Sequence, residues 1–186
     1  MRKVALAMNV TLDGYVAGPD GSLDWMFGRL DDQLAASNAR ELSQIDTFLM
    51  GRRTYEGMAA HWPNVDDQIA RLMNRGQKVV FSHQLTAPAW ENTRVTRNPP
   101  AVEIANLKRE PGGTIAIAGG AEFARAALAT GLVDELRLSV HPVVLGDGLP
   151  LFDHHVELDL VDTERFASGV VTSTYRLAAT HVGDAA

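Results

Sequence analysis

Short apolar runs of strand length alternate along the chain with stripes of helical spacing. Residues 3–10 predict a first strand, followed by a loop rich in turn residues, Asp13-Gly14 and then Gly18-Pro19-Asp20-Gly21-Ser22, long enough to serve as a lid. Residues 31–44 have helical composition, Thr47-Phe48-Leu49-Met50 reads as a buried strand ending at Gly51, and a helix is predicted over 54–60. Within 66–75, Ile69, Leu72 and Met73 recur at helical spacing until Gly76 stops them, and Lys78-Val79-Val80-Phe81 is the next strand. A short helix over 102–108, a strand over 114–118 running into Gly119-Gly120, and a helix over 121–130 closed by Gly131 complete this part.

Alternation of strand and helix implies a largely parallel sheet with crossover helices. The last third changes character: 135–144, 156–167 and 170–178 are strand-like, and Ser168-Gly169 between the last two signals a hairpin. The sheet is therefore expected to be mixed. Its 186 residues without internal repeat or linker suit one domain, expected over 1–180, with 181–186 a frayed tail.

Charge and composition narrow the chemistry. A formal net charge of −6 and no Lys/Arg-rich run argue against a phosphate-backbone binder, so no nucleic-acid partner is expected and any anionic ligand must be held locally. The absence of cysteine removes thiolate nucleophiles, disulfides and thiolate metal sites, and fits a reducing cytoplasm. Asn9, Thr11 and Asp13 interrupt the N-terminal apolar run too early for a signal segment or a membrane span, so no membrane partner is expected either. The histidines are scattered apart from His154-His155, and no metal is expected.

At three places a β-rich run ends in small, hydroxyl-bearing or cationic residues: Gly51-Arg52-Arg53-Thr54, Phe81-Ser82-His83 and Gly119-Gly120-Ala121-Glu122. In an open α/β sheet these strand ends share one rim, where ligands collect and helix N-termini offer unpaired N–H groups to anions. Gly119 and Gly120 let the backbone approach a diphosphate, the helix from Ala121 adds its positive end, Arg52 and Arg53 can fork onto a terminal or 2′-phosphate, and Ser82 is a hydroxyl donor beside them. Taken singly, each has a plainer reading as a turn, a solvated pair or a cap; their joint placement outlines a phosphorylated dinucleotide. G-x-G-x-x-G, P-loop, hydrolase-elbow and zincin motifs are all missing.

The stretches Val10-Thr11-Leu12-Asp13-Gly14-Tyr15, Met50-Gly51-Arg52-Arg53-Thr54-Tyr55-Glu56, Val79-Val80-Phe81-Ser82, Ala118-Gly119-Gly120-Ala121 and Gly131-Leu132-Val133-Asp134-Glu135-Leu136, with Pro142-Val143-Val144-Leu145-Gly146, resemble the dihydrofolate reductase-like superfamily. Within it the chain is most similar to the C-terminal reductase domain of the bifunctional riboflavin-biosynthesis deaminase/reductase and its stand-alone relatives. The resemblance implies an α/β fold of three αβα layers, with a mixed, mostly parallel sheet and an antiparallel C-terminal hairpin. It further implies NADPH as cofactor, held at its phosphates by Gly51, Arg52, Arg53 and Thr54, at its adenosine-phosphate end by Ser82, and at its diphosphate by Gly119, Gly120, Ala121 and Glu122, with Val16 and Ala17 against the nicotinamide. Where dihydrofolate reductases carry a third glycine and a basic residue, this chain has Ala121 and Glu122.

The implied reaction is hydride transfer to a C=N group, or to the ring-opened ribose imine of an aminouracil ribosyl phosphate. Such a reduction also needs a proton source. Asp13 and Asp24 are the candidate catalytic acids, with Asp31 and Asp32 near them in sequence; Asp13-Gly14 is equally a turn dipeptide. Trp25 could stack on a flat substrate or serve as a core aromatic, and Arg29 and Arg40 are candidates for a substrate phosphate. Reduction of dihydrofolate or another small heterocycle, and a non-catalytic NADPH-fold binding protein, stand as alternatives. A homodimer is expected, its interface or simply its core supplied by apolar residues of 138–145.

Overall fold

A computed structural model describes residues 1–29 and 31–178; the expected tail at 181–186 lies outside the described residues. Eight strands form one sheet in the order β5-β4-β3-β6-β1-β7-β10-β9. These are β1 (Val4–Thr11), β3 (Ile45–Gly51), β4 (Gln77–Phe81), β5 (Thr93–Thr96), β6 (Thr114–Ala118), β7 (Glu135–His141), β9 (Leu158–Arg165) and β10 (Val171–Leu177). The six strands from β5 to β7 run parallel, and β10 is antiparallel to both β7 and β9. The mixed sheet with an antiparallel C-terminal hairpin is the expected one.

Alternation within the strands builds two cores. Leu49, Val79, Ile115 and Ile117 point to one face with Val4, Leu6, Ile104 and Leu107, whereas Phe48, Met50, Val80 and Ala116 point to the other with Tyr55, Met73 and Trp90. Each fully buried leucine or isoleucine contributes roughly 1.5–3 kcal/mol of burial free energy. Helices α5 (Pro100–Arg109) and α6 (Ala121–Leu128) cover the first face, and α3 (Arg52–His61) and α4 (Gln68–Arg75) the second. Among α1 (Asp24–Phe27) and α2 (Asp32–Ser43), the latter also supplies Leu42 to the second core and Leu34 to a small cluster with Phe166 and Val170. Three layers result. No described helix is long and apolar enough to cross a membrane.

Several expectations shift, each for a local reason. β7 ends at His141 rather than at Val144, because Pro142 has no N–H for the ladder and Val143 N–H turns back onto the His141 carbonyl at 2.8 Å. α3 starts at Arg52, two residues before the predicted 54, which puts both arginines in its first turn. β5 is absent from the sequence reading: Thr93-Arg94-Val95-Thr96 is a four-residue edge strand with one apolar side chain. The loop read as a lid is instead pinned by a two-stranded ladder of β2 (Tyr15–Ala17) and β8 (Leu149–Pro150). Gly148 permits that ladder, since a Cβ there would lie 2.3 Å from the Ala17 carbonyl oxygen.

Two acidic residues outside the rim are structural pins. The Asp134 carboxylate accepts from Val4 N–H at 2.8 Å and from Lys108 Nζ at 2.5 Å, anchoring the start of β1. Asp31 caps α2 through Leu34 N–H and holds the β9–β10 turn through Ser168 N–H, both at 2.7 Å.

Candidate active site

Because β4, β3 and β6 are adjacent and parallel, the three stretches singled out by sequence emerge at the same rim of the sheet, with Gly51 in register with Phe81. Two helices begin there. Neither α3, entered from Gly51, nor α6, entered from Gly120, has a side-chain cap. By contrast, Asp31 and Asp67 cap α2 and α4. The rim therefore presents free helix N–H groups and the positive ends of two helix dipoles.

Gly119 and Gly120 take φ values of +63° and +75°, which carry the chain from β6 into α6 directly against Thr54. A Cβ on Gly120 would lie 2.7 Å from Thr54 Oγ1, and one on Gly119 would lie 2.9 Å from Thr54 Cγ2. The Phe81 and Phe123 rings, with centroids 4.7 Å apart, tie the end of β4 to α6. The rim is thus held by side-chain packing as well as by the sheet ladder.

A cavity of about 600 Å³ opens from this rim. Val16, Ala17, Arg53, Thr54, Gly119, Gly120 and Ala121 line it, as do Ala7, Met8 and Asn9 from β1. Other expected residues stand at the rim without reaching the cavity. Gly51 is the residue before α3, Arg52 turns outward to Glu56 at 2.8 Å, and Glu122 is exposed in the first turn of α6. The Ser82 hydroxyl accepts from the Gln84 and Leu85 N–H groups at 3.1 and 3.0 Å, forming a local turn.

The candidate acids lie off the cavity wall. Asp13 accepts from Thr11 Oγ1 at 2.6 Å and from Gly146 N–H at 2.8 Å, and the threonine bond first, then the backbone bonds, hold its carboxyl below the usual range. It clamps the turn after β7 as an ionised group. Asp24 and Asp32 are exposed at the starts of α1 and α2, and Asp31 is occupied as a cap. Arg29 reaches the Ser168 carbonyl at 3.5 Å, and Arg40 pairs with Glu164 at 3.5 Å; neither lines the cavity.

Trp25 is off the cavity wall too, edge-on to His141 with ring centroids 5.2 Å apart. His141 has no solvent exposure, and its Nε2 lies 3.0 Å from Asn9 Oδ1. Burial first, and the Arg29 charge second, push the imidazole pKa down, so the ring is neutral near pH 7. Among the described residues its Nδ1 has no partner, nor does Trp25 Nε1. Sequence reading missed Asn9, although a polar residue inside the β1 apolar run is a visible irregularity.

A sheet of this order, with its rim and cleft, is that of the dihydrofolate reductase-like fold. The RibD C-terminal domain family model matches residues 2–172, and the chain belongs to that family. It is 37% identical over 183 residues to the uncharacterized protein YyaP of Bacillus subtilis (strain 168), covering 94% of each chain. Among solved structures, a Shewanella sp. PV-4 protein ascribed to riboflavin biosynthesis superposes with a TM-score of 0.75 at 22% identity, covering 95% of this chain and 99% of that one. Dihydrofolate reductase from Enterococcus faecalis, complexed with NADP(H) and RAB-propyl, gives 0.65 at 15% identity over 95% of this chain and 97% of that one.

Proposed function

We propose that the protein is an NADPH-dependent reductase of small molecules. One observation carries the reading: two uncapped helix N-termini and the Gly119-Gly120 backbone, interlocked with Thr54, converge on the mouth of a single cavity. That cradle fits a diphosphate, because a Cβ at either glycine would fill the space beside Thr54 and free N–H groups are what phosphate oxygens need. Arg53, which lines the cavity and has no ion-pair partner among the described residues, is assigned to the 2′-phosphate. Thr54, Gly119, Gly120 and Ala121 are assigned to the diphosphate, with Gly51, Arg52, Ser82 and Glu122 forming the outer rim, and Val16 and Ala17 to the nicotinamide side.

When bound, reduced nicotinamide supplies a hydride. The family resemblance supports, as the proposed reaction type, reduction of the carbon of a C=N or similarly polarised double bond, as in the ribose imine of an aminouracil ribosyl phosphate. The π electrons pass to the heteroatom, which takes a proton. Among the described residues no Asp, Glu, His or Lys lines the cavity, so water is assigned as the immediate proton source. This chain's residues then act by binding, by orientation through Asn9, and by the apolar wall, which limits water at the reacting centre.

Calorimetric titration with NADPH and NADH, together with loss of reduced-nicotinamide absorbance on adding an aminouracil ribosyl phosphate, dihydrofolate or a neutral imine, tests the reading. Binding of NADPH over NADH with oxidation by one acceptor is expected. Binding without oxidation across the panel would favour a nucleotide-binding protein, and absence of binding would end the reductase reading. A cytoplasmic homodimer completes the proposal, the oligomer to be measured by light scattering.

A further inference from the structure

The cavity has a second end whose chemistry differs from that of the rim. Leu42 of α2, Ile45 and Phe48 of β3, Met58 of α3, Trp62 just after it and Met73 of α4 form this wall. Leu42, Ile45, Met58 and Trp62 are only partly buried although they pack on the second core, so their free faces line open space. Among the described residues, the polar side chains on the whole cavity wall are Asn9, Arg53, Thr54 and the Trp62 indole. None of the described lining residues is a carboxylate, and the one cation among them, Arg53, stands at the mouth.

Such a wall discriminates by what it lacks. A ribosyl phosphate buried here would meet no second cation, and a protonated or amidine-like heterocycle would meet no carboxylate, so either would lose hydration without repayment. A neutral, largely apolar molecule loses little on entry and gains from the wall.

Asn9 supplies the orienting contact. A proton on His141 Nδ1 would be a buried N–H without a partner, which is costlier than a bare acceptor nitrogen; the imidazole therefore carries its proton on Nε2 and donates to Asn9 Oδ1. That fixes the amide, and no described group engages its Nδ2. The free N–H₂ of a cavity-lining residue is left to meet an acceptor atom.

We infer that the substrate is a neutral, largely apolar compound whose reducible double bond ends in a hydrogen-bond acceptor, received by the Asn9 amide and the Leu42–Phe48–Met58–Met73 wall. This inference rests on the reductase reading and narrows it to a substrate class.

The test titrates NADPH-saturated protein calorimetrically with quinoxaline and cyclohexenone against dihydrofolate and an aminouracil ribosyl phosphate, with the thermal midpoint followed in parallel. The neutral pair is expected to bind at least about tenfold tighter than either charged compound. Asn9→Asp, which keeps the acceptor for His141 but removes the donor, is expected to weaken quinoxaline by about tenfold or more. Equal or tighter binding of the charged compounds, or no binding of the neutral pair, overturns the inference while NADPH binding leaves the reductase reading standing. An unchanged quinoxaline affinity in Asn9→Asp overturns the role of Asn9. Should NADPH itself fail to bind, the reductase reading falls, and the same four titrations into free protein still decide the chemistry of the wall.

Discussion

Thr54 and Gly120 interlock across the β3–β6 junction, with the space a Cβ would need on Gly120 taken by the Thr54 hydroxyl at 2.7 Å. Gly120 also sits at φ +75°, where a side chain costs about 1–2 kcal/mol before any clash. Gly120→Ala is therefore expected to displace Thr54 or the α6 entry and to weaken NADPH by about tenfold or more, measured by calorimetry. Unchanged affinity in a folded variant would detach this junction from nucleotide binding.

The paired arginines should separate on mutation. Arg53 faces the cavity, whereas Arg52 is engaged by Glu56. Arg53→Ala is expected to cost NADPH about 1.5–3 kcal/mol of binding and NADH far less, because only the former carries the 2′-phosphate. Arg52→Ala should cost much less. Equal losses for the two nucleotides in Arg53→Ala would remove the assigned contact.

Acid should destabilise the fold through His141. Its folded pKa is lowered from 6.5 by burial, so below that value the unfolded chain takes a proton that the native ring refuses, and stability falls as pH falls. Urea midpoints between neutral pH and about pH 5 should drop more steeply in the wild type than in His141→Gln. Parallel curves would show that the imidazole contributes nothing to acid sensitivity.

Lys78 has the same pH sense in a more alkaline window. It is fully buried, donates to the Asn74 carbonyl at 2.9 Å, and lies 4.4 Å from the centre of the Trp90 ring. Burial pushes its pKa from 10.5 down to about 8. Between these values the unfolded chain holds the extra proton, so stability should rise with pH, by at most about 1.4 kcal/mol per pH unit, relative to Lys78→Met. Denaturant midpoints of the two proteins across that window check the slope.

Strands and rim were legible where sequence and tertiary demands coincide. The apolar run 114–118 broken by two glycines permits little except a buried strand entering a tight turn. Arg52 and Arg53 could not be ranked by residue type, because one helical step of about 100° separates outward from cavity-facing; Glu56, four residues after Arg52, was the available signal. Asp13 and Asp31 show the limit for acids, since a carboxylate that clamps a turn and one that donates a proton look alike until their partners are known. The apolar wall was hidden for a related reason. Ile69 and Met73 satisfy the same helical spacing whether they seal a core or face a void, and only the positions of α2 and α3 decide between the two.

The first strand of the chain lies inside the sheet, between β6 and β7. Its neighbours are translated more than a hundred residues later, so Val4 and Leu6 emerge unpaired and wait for β6 and β7 before the central ladder can close. Closure of the sheet on the ribosome is thereby biased towards a concerted collapse once β7 has been made, and the waiting β1 is a segment that holding chaperones would meet.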